Sequence, residues 1–544
     1  MDLLLVNGRI LTMSAANPVV EALAIARGRV AAVGSAAALR SAAPPGARVV
    51  DLAGRTVTPG FNDSHMHVLP YGMDLAQADL SPRAGVRDIA GLVDALRRWA
   101  AAHPAADWVR GSRYDQNVFP GAAHPTRADL DAAFAERPVW VSQTSKHAGA
   151  CNSAALRLAG VDQNTPDPDG GAIVRDEAGE PTGVMLESAM GLVTRWLPKP
   201  GRAAMVEAIR RACEALLRVG VTSASDLNTG WFHMATEIEA YRQAVDQRAA
   251  LRITLCPHAV DFGEPQDVPS REAFAADCGL DRPPSAEPGQ GGVRLGPAKL
   301  FSDGALTVRT AALREPYVDG AGDGMLLHPV DELRSYVRSA HAAGWQVATH
   351  AIGDRAIAEV LDAYAMACGE DAGVERRHRV EHAMLLTPDL RQRLVRQRVV
   401  PTMQPEFVAR LGDAYVMGLG EERAATLNPV ASLLRAGVGV PFGSDCPIVP
   451  GAPLDGVRAA IARTTASGRV LGPTERIGAA DALRNYTWWS AYSTFDEAET
   501  GSLERGKRAD LVVLSADPAA DGPDPVEVVA TVVAGRFVSG TELA

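Results

Sequence analysis

Gln346-Val347-Ala348-Thr349-His350 is a short apolar run that stops on a histidine, and the stretch after it, Asp354–Met366, has the spacing of a helix. The unit then repeats. Arg379-Val380-Glu381-His382 is followed by the helix candidate Pro388–Gln397, and Val399–Thr402 begins the next run. Strands that alternate with helices pair in parallel, because a parallel neighbour is reached only through a crossover.

Outward from this core the same alternation continues. Val139–Ser142, Val221–Ser225, Arg252–Leu255, Ala298–Phe301 and Val438–Gly443 read as further strands, with Ala203–Val219 and Val330–Ala343 as helices. A region this long, from about Thr56 to about Ala480, predicts an α/β fold of the closed (β/α)8 TIM-barrel type. Counting Pro59–Phe61 there is one run too many, so one belongs to an insertion. Segments 68–135 and 141–220 are too long for single connections, and Gly263–Gly292, rich in Pro and Gly, is expected to pass over the barrel mouth.

Both ends of the chain read differently. Leu3–Val6, Asn7-Gly8-Arg9-Ile10 and Ala24–Val33, broken at Arg27-Gly28-Arg29, are short strands and tight turns. Asp510–Leu514 and Val532–Val538 repeat the style, and an Asn-Gly or Arg-Gly pair between apolar residues signals a hairpin. The expectation is one small β-sandwich built from residues 1–56 and 481–544, flanking a barrel with insertions over 57–480.

The 544 residues suffice for a large barrel and a second domain, and 47% hydrophobic with 22% charged content is ordinary for a globular chain. A net charge of −11, from 65 acidic and 54 basic residues with no block of one sign, argues against nucleic acid as a partner. No apolar run approaches the ~20 residues that span a bilayer, so no membrane partner is expected. Met1–Val6 lacks the basic start and length of a secretory leader. Six cysteines (151, 213, 256, 278, 368 and 446) lie far apart with no Cys-x-x-Cys pair, which predicts reduced thiols and a cytoplasmic protein.

The chemistry lies at the ends of the apolar runs. Phe61-Asn62-Asp63-Ser64-His65-Met66-His67 closes on two histidines two residues apart, which share one side of a strand. His350 and His382 end their own runs, and Asp445 ends Val440-Pro441-Phe442-Gly443-Ser444-Asp445. Catalytic groups of such barrels gather at the carboxyl ends of several strands. The set is rich in nitrogen and oxygen donors and suits one or two divalent metals, zinc first, that activate water.

Lys299, inside Pro297-Ala298-Lys299-Leu300-Phe301, cannot bind metal as a cation. Burial lowers a lysine's pKa, and the neutral amine can combine with carbon dioxide into a carbamate whose two oxygens bridge two cations. The alternative is a lysine paired with Asp303 or Glu187.

Together these fragments resemble the amidohydrolase superfamily, and more narrowly its family 3, the N-substituted formamide deformylase-like metal-dependent hydrolases. The resemblance rests on Pro59–His67, Lys299–Leu306, His350–Asp354, Glu381-His382-Ala383 and Gly443–Pro447, with Gly501–Leu514 similar to the superfamily's return into its β-sandwich. It implies metal positions at His65, His67, His350, His382 and Asp445, with Lys299 where a bridging carboxylated lysine is expected.

His147-Ala148-Gly149-Ala150-Cys151-Asn152-Ser153 is similar to a family-3 segment whose histidine and asparagine face the substrate, although Ser145-Lys146 stands here where Asp-Gly is usual. By the same resemblance Glu187 and Arg309 fall on the substrate side. For His147 an exposed helix start is the competing reading, for Glu187 a surface ion pair, and for Arg309 a loop clamp. Gln404 and Asp354 read as scaffold, and Trp488-Trp489 as packing at the domain junction.

The expected activity is hydrolysis of a non-peptide C–N bond in a small amide or N-acyl or N-formyl amine. Asp445 shuttles the proton, and His147 or Arg309 steadies the oxyanion. Two other readings stand beside it: a mononuclear-metal deaminase of a cyclic amidine, and a non-catalytic binding protein on a hydrolase barrel. The expected partner is the small-molecule amide substrate, and a homodimer is allowed for.

Overall fold

The computed structural model describes residues 2–247, 249–281, 291–369, 376–520 and 525–543. Its centre is two four-stranded parallel sheets. The first runs Gly292–Leu295, Arg252–Pro257, Val221–Thr229, Phe61–Met66, and the second Ala298–Phe301, Val347–Ala351, Arg379–His382, Val400–Thr402. The sheets touch at both edges. Lys299 bridges His258, while Met403 bridges Phe442, and Phe442 O accepts from the Ser64 N–H at 3.1 Å. Most of these strand residues are buried, as expected when helices cover an inner sheet.

The helices outside follow from residue spacing. In Asp354–Cys368 the residues Ala356, Ile357, Val360, Leu361, Ala363 and Tyr364 fall on one buried stripe, and Gly369 ends the helix with φ 72°. Arg202–Arg218, Met234–Asp246 and Val330–Ala342 bury stripes of the same kind. Gly263–Gly292 departs from the expectation. Its described part, with the helix Arg271–Asp277, packs on the flank, where Phe262 and Phe274 meet Trp345 and Trp345 Nε1 donates to Pro269 O. Residues 282–290 of that stretch lie outside the described residues.

Strands from the two ends of the chain share one six-stranded sheet: Arg536–Ser539, Val528–Val533, Leu511–Leu514, Thr56–Pro59, Arg9–Leu11, Val19–Val20. It faces a four-stranded sheet made of Arg29–Gly34, Ala22–Ala26, Leu3–Val6 and Arg48–Asp51, over a core that includes Leu5, Ile10, Ile25, Val57 and Val513. Arg27-Gly28 does turn a hairpin. Asn7-Gly8 does not. There the chain crosses from one sheet to the other, and Leu52 packs so close that a Cβ on Gly8 would sit 2.3 Å from its Cδ1.

Val438–Gly443, expected as a strand, forms only the single bridge of Phe442 to Met403, while Gly292–Leu295 pairs as a strand outside the expected runs. Val139–Ser142 is the surplus run and belongs to a six-stranded sheet inserted after Phe61–Met66. Val139–Gln143 pairs there with Val109–Tyr114 and Ala148–Cys151, and Pro181–Glu187 continues the sheet. One face of this insertion reaches the carboxyl ends of the parallel strands. Trp488 and Trp489 are half-buried beside Tyr492, and the Trp489 ring covers Gly439, which is packing.

Candidate metal centre

Three histidines of the constellation are each held by a partner that decides which nitrogen is left over. His65 Nδ1 lies 2.5 Å from Glu381 Oε2, so it donates there and keeps the Nε2 lone pair. His382 Nδ1 donates to Gln404 Oε1 at 2.8 Å, leaving Nε2. His350 Nε2 donates to the Gly304 carbonyl at 3.1 Å, leaving Nδ1. The rings converge, with centroids of His65 and His382 at 4.6 Å and of His350 and His382 at 4.5 Å.

Asp445 Oδ1 stands 3.0 Å from His67 Nε2 and 3.3 Å from His65 Nε2. The donor atoms of His65, His67 and Asp445 all lie within 4.8 Å of one another. Asp445 has φ 58° and His382 φ 71°, both in the left-handed region that costs a non-glycine residue. These turns aim the two side chains where a continued strand would not.

Burial drives His350 well below the usual histidine range and His382 down to about 3. For His67 burial also wins, and its pKa falls. Burial opposes charge on His65 as well, but the carboxylates of Asp445 and Glu381 outweigh it and raise that pKa. Asp445 is held well below the carboxylate range by His65 and His67, against its burial. The lowered values of His67, His350 and His382 favour the neutral imidazoles that, beside an ionised carboxylate, bind a divalent cation.

Two orphaned atoms test whether these residues fit a metal. His67 Nδ1 and Lys299 Nζ are buried without a hydrogen-bond partner. An unsatisfied buried polar group costs about 1–3 kcal/mol, so a fully buried amine with no acceptor calls for a further group. Burial lowers the Lys299 pKa to about 8. The alternative pairings fail. Asp303 accepts from the backbone N–H groups of Ala312, Ile352 and Gly353, and Glu187 serves His147 and Thr310. The donor set of His65, His67 and Asp445 therefore fits a metal.

The remaining expected residues divide. His147 lines the same cavity of about 480 Å³ as His65, His67, His350, His382 and Asp445, 5.5 Å from the His350 ring. Burial opposes its charge, but Glu187 Oε2 at 2.8 Å from Nδ1 raises its pKa. Glu187 is thus corrected from substrate contact to a residue that positions His147. Asn152 is corrected too. It caps the helix Ser153–Ala159, accepting from Ala155 and Val139 N–H and donating to Phe134 and Arg137 carbonyls, with no amide atom to spare. Arg309 is the loop clamp. Its Nε meets Asp319 at 2.6 Å, Nη1 donates to Leu306 O, and Gly418 packs against the guanidinium.

Asp354 accepts from the Arg314 and Arg355 N–H groups as scaffold, whereas Gln404 orients a ligand. Glu381 and Arg379 were missed. They form a fully buried ion pair at 2.7 Å inside the strand that ends on His382. Two opposite charges two apart in an apolar run were the available signal.

A second cluster, His341, Cys368 and His378, has metal-like composition. The Val347 N–H donates to His378 Nδ1 at 3.0 Å, so neutral His378 carries its proton on Nε2, which lies 3.1 Å from His341 Nδ1. That nitrogen has no lone pair to offer, and the group is a hydrogen-bonded chain.

A sequence profile described as the amidohydrolase family matches residues 48–539. The chain belongs to the amidohydrolase family. It is 32% identical to the Bacillus subtilis amidohydrolase YtcJ, across 98% of this chain and 98% of that protein. It is 33% identical to the N-substituted formamide deformylase of Arthrobacter pascens, across 95% and 94%. Among solved structures it is similar to a metal-dependent hydrolase from Pyrococcus horikoshii, with TM-score 0.73, 28% identity and coverage of 95% and 98%. Membership makes this amidohydrolase a hydrolase with an α/β fold, and the description of its solved relative supports a divalent metal. Among the described residues no helix is long and apolar enough to cross a membrane.

Proposed function

We propose that this amidohydrolase cleaves a non-peptide C–N bond of a small amide or N-acyl or N-formyl amine. The site is one or two zinc ions held by His65, His67, His350, His382, Asp445 and a carboxylated Lys299. The observation that carries the reading is the buried, partnerless Lys299 Nζ together with the tight group His65, His67 and Asp445. With Gly292–Leu295 and Ala298–Phe301 taken as one broken strand and the Phe442 segment as the last, the parallel strands are read as one (β/α)8 barrel over 57–480, with the sandwich from residues 1–56 and 481–544. In that barrel the site sits at the carboxyl ends, where catalysis is built. The six free thiols accord with a reducing cytoplasm.

A divalent cation bound there supplies Lewis acidity and a water that ionises near neutral pH. The rest falls to the chain. Asp445, kept ionised, accepts the proton from the attacking water and passes it to the departing amine. His147, held charged by Glu187, donates a hydrogen bond to the developing oxyanion. Glu381 and Gln404 hold His65 and His382 in the required tautomers.

The test is a panel of formamides, N-acyl amines and cyclic amides offered to zinc-loaded protein, with amine and acid products measured separately. Amine and carboxylic acid in equal amounts support the reading. Ammonia without an acid would instead make it a deaminase, and no hydrolysis across the panel would leave a binding protein.

A further inference from the structure

The insertion sheet gives the cavity an end that the hydrolytic residues do not use. On Val109–Tyr114 the side chains of Arg110 and Ser112 share a face, and register places them beside Trp140 and Ser142 of the neighbouring strand. Arg110, Trp140, Ser142 and Lys146 all line the cavity. Here the one carboxylate is Asp74, and it is taken. Its Oδ2 receives Lys146 Nζ at 2.7 Å and Ser112 Oγ at 2.5 Å. Lys146 spends its other bonds on Ser112 and Ser142.

Arg110 feels the Asp74 charge but has no hydrogen-bond or ion-pair partner among the described residues. Its Nε is buried without a hydrogen bond. A guanidinium is never deprotonated in a protein and presents five donors in a planar fork suited to a carboxylate. Arg195 and Lys199 at the rim add positive charge, so cations outnumber carboxylates at this end. The helix Val68–Asp74 separates it from His67, and seven residues at ~1.5 Å rise put the two ends about 10 Å apart. Trp231 also lines the cavity and meets the His67 ring edge-on, with ring centroids at 5.9 Å.

We infer that Arg110 is a specificity-determining residue that binds an anionic group, a carboxylate in the first instance, carried by the substrate at the end remote from the scissile bond. The substrate class is thereby narrowed to amides or N-acyl amines with a charged tail and an apolar middle. This rests on the cavity being the substrate site, as proposed above.

Calorimetric titration of the zinc-loaded full chain with 4-phenylbutyrate and with 4-phenylbutyramide tests it, because the two differ only in charge at one end. The acid is expected to bind at least about tenfold more tightly, the low end of what a desolvated charge-assisted pair contributes. Arg110→Gln should erase that advantage, and Arg110→Lys should keep part of it. Melting temperature separates binding from scaffolding. Removing a half-buried cation that makes no hydrogen bond should leave it unchanged or raise it, whereas a structural arginine would lower it and weaken both ligands equally.

Equal binding of acid and amide by the unaltered chain would overturn the inference. So would an advantage that survives Arg110→Gln, since the acid would then sit on the metal. The measurement needs no turnover. If no amide were cleaved yet the acid kept its Arg110-dependent advantage, the hydrolytic reading would fall and the anion site would stand.

Discussion

Glu381 Oε2 is 2.5 Å from His65 Nδ1 while the same carboxylate holds the Arg379 guanidinium, so a buried ion pair fixes the tautomer of a histidine in the candidate metal centre. Burial opposes the charge on Glu381, but Arg379 and His65 keep it ionised. Glu381→Gln keeps the size and loses the charge. Metal affinity should fall about 10–100-fold, measured by competition with a chromophoric chelator. Unchanged affinity would show that the ring is positioned by packing alone.

Metal removal should abolish hydrolysis, and zinc should restore it. Asp445→Asn should cost roughly 10²–10⁴-fold in rate as the proton acceptor is lost, and more where bound zinc also falls. Metal content and turnover measured on one sample separate these effects. A variant with both intact would move the proton to another group.

Lys299→Ala should lose one metal equivalent and most activity, with partial recovery in short carboxylic acids that replace the carbamate oxygens. Full metal content in the variant would remove Lys299 from the ligand set.

Asn152→Ala removes a helix cap and four hydrogen bonds, so it should lower stability by at least the ~1 kcal/mol of a lost cap. Because Asn152 has no atom facing the cavity, KM should not move. A specific rise in KM at unchanged melting temperature would return it to the substrate side.

Asp510 grips Arg252 at 2.7 and 3.0 Å, tying the strand Leu511–Leu514 to the base of a parallel strand. Burial raises the Asp510 pKa, but Arg252 outweighs it and the net shift is downward. A depressed folded pKa means the stabilisation is complete above the unfolded value of about 3.9 and drains away as pH falls below it. Asp510→Asn, which strands a buried guanidinium, should cost about 3–5 kcal/mol and flatten the acid limb of melting temperature against pH. An unchanged acid limb would assign it to other carboxylates.

The strand ends were legible because each ligand closes an apolar run, which composition and spacing reveal directly. His382 and Asp445 show the limit. Their positive φ redirects side chains by breaking the two-residue alternation, and a run buried on both faces carries no alternation to read. Asn152 and Arg309 were placed by resemblance, and their roles turned on hydrogen bonds to residues 3 to 18 positions away that no local motif marks. Arg110 sits in a half-buried strand of a mixed sheet, where neither periodicity nor motif marks it.

Thr56–Pro59 pairs antiparallel with Leu511–Leu514, whereas the parallel strands lie between them in the chain. At a synthesis rate of ~5–20 residues per second, the first strand leaves the ribosome roughly 20–90 s before its partner exists. During that interval one sheet edge is open to any other extended peptide. Completing this sheet therefore waits for the far end of the chain, and the newborn chain's exposure to aggregation is set by elongation speed at a place far from the candidate metal centre.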